Sequence, residues 1–200
     1  MSLPRVYPIV DSAAWVGRLA GLGVRLVQLR IKEQPPEQVA AEVRAAHGCC
    51  RAHGVQLIVN DYWQIALEAR CDFVHLGQGD LEAADLPALR RAGVRFGIST
   101  HDEAELERAL AAAPDYVALG PVYPTLLKVM PWQPQGLPRL REWKRRIGAL
   151  PLVAIGGLTL ERLPGVFAAG ADVAAVVTDI VRAADPDGRT REWLALAAAA

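Results

Sequence analysis

Short runs rich in Val, Ile and Leu recur along the chain, and most are followed by a segment rich in Ala, Leu, Glu and Arg. The apolar runs are Val6–Val10, Leu26–Leu29, 57–59, Phe73–Leu76, 94–98, Tyr116–Leu119, 152–155 and 173–177. They are almost continuously apolar and do not alternate, the pattern of strands buried on both faces. The segments between them read as helices over 14–20, Pro36–His53, 63–69, 86–92, 103–112, 137–147, 160–169 and 189–199. Asp11-Ser12 offers a cap to the first helix, and Pro36-Glu37 suits the first turn of the second. Gly23-Val24, Gly54-Val55 and Gly93-Val94 each close a helix with glycine and open a strand.

Eight strand-then-helix units within 200 residues predict a single-domain (β/α)8 TIM barrel spanning 1–200. The competing arrangement is an open, doubly wound sheet. No Gly-x-Gly-x-x-Gly follows the first strand, and nearly every run ends on polar residues. In a barrel those ends converge on one face, where active sites are built.

Composition narrows the function classes. Lys plus Arg number 22 and Asp plus Glu 22, with no basic stripe, which argues against non-specific nucleic-acid binding. No apolar run reaches membrane-spanning length, and Met1-Ser2-Leu3-Pro4-Arg5 lacks a signal core, so a cytoplasmic protein is expected. Cys49, Cys50 and Cys71 show no metal-ligand spacing and read as reduced structural residues.

The strand ends carry the chemistry. Alternation points Gln28, Arg30 and Lys32 to one side of the second strand and Leu29 and Ile31 to the other. Two cations and an amide suit a phosphate or diphosphate; the plainer reading is charges paired to neighbours. Asn60-Asp61 follows the third strand and Gly77-Gln78-Gly79-Asp80 the fourth. Two carboxylates on adjacent strands can share Mg²⁺ with substrate phosphate oxygens; singly, Asp61 reads as a helix cap and Asp80 as a turn residue. After the fifth strand, Ser99 can donate to a substrate, Thr100 can cap the next helix, and His101 fits the helix entry better than a general base. His75, inside the fourth strand, reads as a satisfied core histidine.

The sixth strand breaks at Gly120-Pro121 and leads to Thr125 and Lys128. Lys128 is one of only three lysines among 22 basic residues. After strands seven and eight come Gly156-Gly157 and Val177-Thr178, whose backbone amides and following short helix form the usual phosphate cradle of such barrels. Two anionic subsites result: a cationic, metal-assisted one, and a neutral amide cradle.

Seven blocks in order resemble the thiamine-phosphate synthase family over nearly the whole chain, in its proteobacterial version. They are Tyr7-Pro8-Ile9-Val10-Asp11, Gln28-Leu29-Arg30-Ile31-Lys32, Asn60-Asp61-Tyr62-Trp63, His75-Leu76-Gly77-Gln78-Gly79-Asp80-Leu81, Ser99-Thr100-His101-Asp102, Gly120-Pro121-Val122-Tyr123-Pro124-Thr125 and Ala154-Ile155-Gly156-Gly157. The resemblance implies a TIM barrel that joins hydroxymethylpyrimidine diphosphate to thiazole phosphate, releasing diphosphate. It implies that Gln28, Leu29, Arg30, Ile31, Lys32, Asn60, Ser99 and Lys128 bind the pyrimidine diphosphate. Arg30, Lys32, Ser99 and Lys128 would assist catalysis directly. Asp61 and Asp80 would hold Mg²⁺. Thr125, Leu126, Leu127, Gly157, Val177 and Thr178 would bind the thiazole phosphate.

Two positions depart from the family pattern. Leu127 stands where a second hydroxyl is usual, and Thr178 where serine is common. Two other readings stay open: a thiazole tautomerase-like paralogue, against which Pro121 in place of that group's histidine argues, and a catalytically silent thiamine-phosphate sensor. The expected partners are small-molecule substrates, with no nucleic acid and no membrane; a homo-oligomer is left open.

Overall fold

The structure, a computed structural model, describes residues 3–125 and 133–199. Eight parallel strands close into a barrel: β1 (Val6–Val10), β2 (Leu26–Leu29), β3 (Gln56–Asn60), β4 (Phe73–Leu76), β5 (Arg95–Thr100), β6 (Tyr116–Leu119), β7 (Leu152–Ala154) and β8 (Val173–Val176). Each strand pairs with the next, and Tyr7 opposite Ala175 closes β1 onto β8. The helices are α1 (Ala13–Gly21), α2 (Pro36–His53), α3 (Trp63–Glu68), α4 (Gln78–Ala83), α5 (Leu86–Arg91), α6 (Glu103–Ala111), α7 (Gly136–Ile147), α8 (Leu163–Ala168), α9 (Thr178–Val181) and α10 (Pro186–Ala199).

Strand alternation produces two separate cores. Tyr7, Ile9, Leu26, Ile58, Phe73, Tyr116, Ala118, Val153, Val173 and Ala175 fill the barrel interior. The intervening strand residues, among them Val6, Val27, Leu29, Val59, Val74, Leu76, Ile98 and Leu119, pack outward against the helices. That double burial explains why the strands read as continuous apolar runs. Full burial of each Leu, Val or Ile stabilises by about 1.5–3 kcal/mol, so both layers contribute.

The helix ends follow local chemistry. Ser12 caps α1 by accepting from the Trp15 amide, and Gly54 ends α2 in the left-handed region at φ 64°. Some expectations are corrected. Thr100 does not cap α6; Asp102 does, accepting from the Glu105 amide at 2.9 Å. Thr100 is wholly buried, donates to the Ala118 carbonyl at 2.9 Å and accepts from the Trp143 indole at 2.9 Å, tying α7 to the barrel. The helix expected over 160–169 divides into a 3-10 turn, Leu160–Arg162, followed by α8. The last helix begins at Pro186, three residues earlier than expected, since proline lacks only a donor that the first turn does not need. The short helix α4 spans Asp80, a residue that by itself suggests a turn; no residue of α4 is buried to reveal a helix.

Among the described residues, no helix is long and apolar enough to cross a membrane.

Candidate active site

The C-terminal ends of the strands open into one cavity of about 620 Å³. From the β2–β4 side it is lined by Arg30, Lys32, Asn60, Asp61, Gln78 and Asp80. From the β7–β8 side it is lined by Gly156, Gly157, Val177 and Thr178; Ser99, His101, Glu105 and Thr125 also line it. Leu29 and Ile31 face away into the strand–helix core, so only their backbone could reach a ligand. Gln28 is 2% exposed, lies below the cavity floor and donates to the Tyr7 hydroxyl at 2.8 Å. Leu126, Leu127 and Lys128 lie outside the described residues.

The acidic and basic groups are interlocked. Lys32 donates to Asp61 Oδ2 in an ion pair. Asp61 has φ 64°, uncommon for a residue with a side chain and worth about 1–3 kcal/mol of strain. Its amide donates to the His75 carbonyl at 2.9 Å, which anchors the turn leaving β3. Asp80 accepts from the Gly77 amide at 3.2 Å across the first turn of α4. Burial, and then the nearby Asp61 charge, push the Asp80 carboxyl above the usual carboxylate range, while the Gly77 amide and Lys32 pull it back. A carboxyl whose charge is opposed by a second carboxyl beside it is suited to a hard divalent cation. Among the described residues no group of three or more His, Cys, Asp or Glu can hold a metal. A Mg²⁺ held by Asp61 and Asp80 would therefore take its other oxygens from substrate and water, its ordinary mode of binding.

The opposite wall is built from backbone. Val122 donates to the Ile155 carbonyl at 2.9 Å and Tyr123 to the Gly156 carbonyl at 3.0 Å, so the chain leaving β6 lies along the chain leaving β7. Gly156 (φ 96°) and Gly157 (φ 64°) sit beneath it; a Cβ on Gly157 would lie 2.4 Å from the Pro124 carbonyl oxygen. Val177 precedes the first turn of α9, and Thr178 begins it.

Ser99 stands between the two walls. Its Oγ is 2.8 Å from His75 Nε2, and His75 Nδ1 is 2.7 Å from the Tyr116 hydroxyl. Burial lowers the His75 pKa to about 4, with Arg30 lowering it further and Asp61 opposing. His75 is thus a satisfied, neutral interior histidine, as expected, yet it also touches the cavity. His101 belongs to the helix entry: its amide and its Nδ1 both meet Glu105 Oε2 at 2.7 Å. Sequence reasoning missed Glu105 and the polar interior joined to Ser99. Glu105 sits among helix-surface acids, and Tyr7 and Tyr116 sit within apolar strands, so residue type gave no separate signal.

Residues 6–180 match the family model described as thiamine monophosphate synthase. A thiamine-phosphate synthase from Rhizobium etli is 62% identical over 198 residues, covering 99% of this chain and 97% of the relative. One from Klebsiella pneumoniae is 50% identical over 194 residues, covering 97% of this chain and 92% of the relative. Among solved structures, a thiamine phosphate pyrophosphorylase from Pyrococcus furiosus superposes with TM-score 0.86 at 24% identity, covering 98% of this chain and 96% of that one.

Proposed function

The chain belongs to the thiamine monophosphate synthase family and is a transferase of that kind, and we propose the following division of labour among its residues. The reaction condenses 4-amino-2-methyl-5-hydroxymethylpyrimidine diphosphate with thiazole phosphate to give thiamine phosphate and diphosphate. Arg30 and Lys32, with Lys128, bind the diphosphate, and Asn60 and Ser99 hold the pyrimidine. Gly157, Val177-Thr178 and the 125–127 stretch bind the thiazole phosphate. The observation that supports this reading is a single cavity lined by both the charged residues of β2–β4 and the glycine-rich exits of β7–β8.

The chemistry needs no side-chain nucleophile. The bond between the pyrimidine methylene carbon and the diphosphate oxygen breaks, and its electron pair leaves with the diphosphate. Arg30 and Lys32 stabilise the charge gathering there. The electron-rich aminopyrimidine carries the resulting benzylic-type cation. The thiazole nitrogen, already holding a lone pair, closes the new C–N bond. No proton needs removal from that nitrogen, so a neutral His75 and a Glu105-bound His101 need not act as bases. Asp61 and Asp80 would hold Mg²⁺, which when bound neutralises the leaving group. Catalysis is then mostly positioning and electrostatic stabilisation. The balanced charge and the small-molecule cavity fit a cytoplasmic enzyme with neither nucleic-acid nor membrane partners.

The test is to incubate the purified protein with both substrates and Mg²⁺ and to measure diphosphate. Release that requires all three components is the expected result. Aromatisation of a thiazole tautomer without coupling would assign a tautomerase instead. Tight product binding with no release would assign a sensor.

A further inference from the structure

Four side chains from four different strands join in one line that rises from the barrel interior, reaches the cavity at His75 and ends at Ser99. Gln28 Nε2 donates to the Tyr7 hydroxyl at 2.8 Å. The Tyr7 and Tyr116 hydroxyls are 3.0 Å apart, Tyr116 is 2.7 Å from His75 Nδ1, and His75 Nε2 is 2.8 Å from Ser99 Oγ. Tyr7 and Tyr116 are almost completely buried, and the Tyr116 ring stacks on the His75 imidazole with centroids 5.6 Å apart. No buried side-chain polar atom among the described residues lacks a partner.

The direction of this line follows from counting protons. Each hydroxyl has one hydrogen to donate, and a neutral imidazole has one donor and one acceptor nitrogen. Because Gln28 donates to Tyr7, the Tyr7 hydrogen passes to Tyr116, and the Tyr116 hydrogen passes to His75 Nδ1. His75 must then carry its proton on Nε2 and donate to Ser99. The line runs the other way only if the Gln28 amide turns its Oε1 to Tyr7, the opposite of the donation from Nε2 that the structure holds.

We propose that His75, set by Tyr116, Tyr7 and Gln28, is a positioning residue that makes Ser99 an obligatory donor towards substrate. The Ser99 oxygen accepts from His75, so its own hydrogen is turned to the cavity. That hydrogen is matched by a substrate atom with an accepting lone pair, such as a ring nitrogen of an aminopyrimidine. The substrate half of this inference rests on the assignment of Ser99 to the pyrimidine made above; the tautomer half does not.

Nitrogen-15 NMR of the uniformly labelled full chain tests the relay. The chain has four histidines, and His75→Gln identifies the resonances of interest. An unprotonated Nδ1 and a protonated Nε2 at neutral pH are expected. A proton on Nδ1, an even mixture or an imidazolium overturns the relay, whether or not the protein turns over. The consequence for substrate is read by kinetics. Tyr116→Phe should raise the KM for the pyrimidine diphosphate about fivefold to tenfold, the worth of one hydrogen bond. It should leave the KM for thiazole phosphate unchanged, and it should add nothing in a Ser99→Ala background. Additive effects of the two changes would show that Tyr116 does not act through Ser99 and would overturn the positioning role. If Tyr116→Phe fails to fold, the wild-type spectrum still decides the relay. If the wild-type chain releases no diphosphate, the assigned reaction fails while the spectrum stands on its own.

Discussion

A Cβ on Gly97 would lie 2.0 Å from Cζ of Tyr116 and 2.2 and 2.4 Å from its two Cε atoms, in hard collision with the end of the ring. The two residues face each other on β5 and β6, and the missing side chain is what lets the tyrosine ring cross the barrel interior to reach Tyr7 and His75. Gly97 has no need of an unusual backbone conformation here; its role is space. Gly97→Ala is expected to cost at least about 1–3 kcal/mol, the usual range for overpacking a dense core. Urea denaturation measures it. Because the ring must move, the same variant should also loosen the substrate-facing serine, seen as a raised KM for the pyrimidine diphosphate.

Asp61 and Asp80 should separate stability from activity. The Asp80 carboxyl is raised by burial and by Asp61. A raised carboxyl favours folding below its unfolded pKa and loses that contribution as pH rises through its folded pKa. Above that folded pKa the partly buried Asp80 charge, beside Asp61, opposes folding. Asp80→Asn keeps an oxygen for the Gly77 amide and removes the like charge. It should raise the thermal midpoint of the metal-free protein while abolishing Mg²⁺-dependent turnover. A fall in both would show that the carboxylate is structural.

Acid should weaken the fold through His75. Its pKa in the folded chain is about 4, against an ordinary value of 6.5. Between these values the unfolded chain binds the proton and the folded chain does not, so stability falls as pH falls. The contribution is present above pH 6.5 and is lost on the way down to about 4. The shift corresponds to about 3 kcal/mol at 1.36 kcal/mol per unit. Denaturation curves across this range should be flatter for His75→Gln than for the wild type.

Leu127 stands where the family resemblance leads one to expect a hydroxyl. Leu127→Thr should lower the KM for thiazole phosphate by roughly tenfold, the worth of one hydrogen bond to a charged group. The KM for the pyrimidine diphosphate should not change. An unchanged thiazole KM would show that other groups already satisfy that phosphate.

The barrel was legible because its strands are buried on both faces and its helices end at glycines such as Gly54 and Gly93. Arg30, Lys32, Asp61 and Asp80 stood out because charges at the ends of apolar runs are costly to bury without a purpose. The polar line beneath them was not legible. Tyr7 and Tyr116 look like any aromatic in a strand, and only the closed barrel brings residues 109 positions apart into contact. The helix α4 escaped for the opposite reason, as a surface turn with nothing to bury. Thr100 suggests a cap because it is a threonine just before a helix, and propensity alone does not separate it from Asp102, which makes the cap.

The space above Gly157 belongs to Pro124, and the space above Gly156 to Pro121, whose Cα would lie 2.6 Å from an added Cβ. The exits of β6 and β7 are thus shaped against each other, and they should evolve as one unit. A lineage that gained a side chain at 157 would have to re-route the chain at 123–124 in the same stroke, and would still carry the strain of a positive φ. Among descendants of this barrel, these two loops should be inherited together or replaced together.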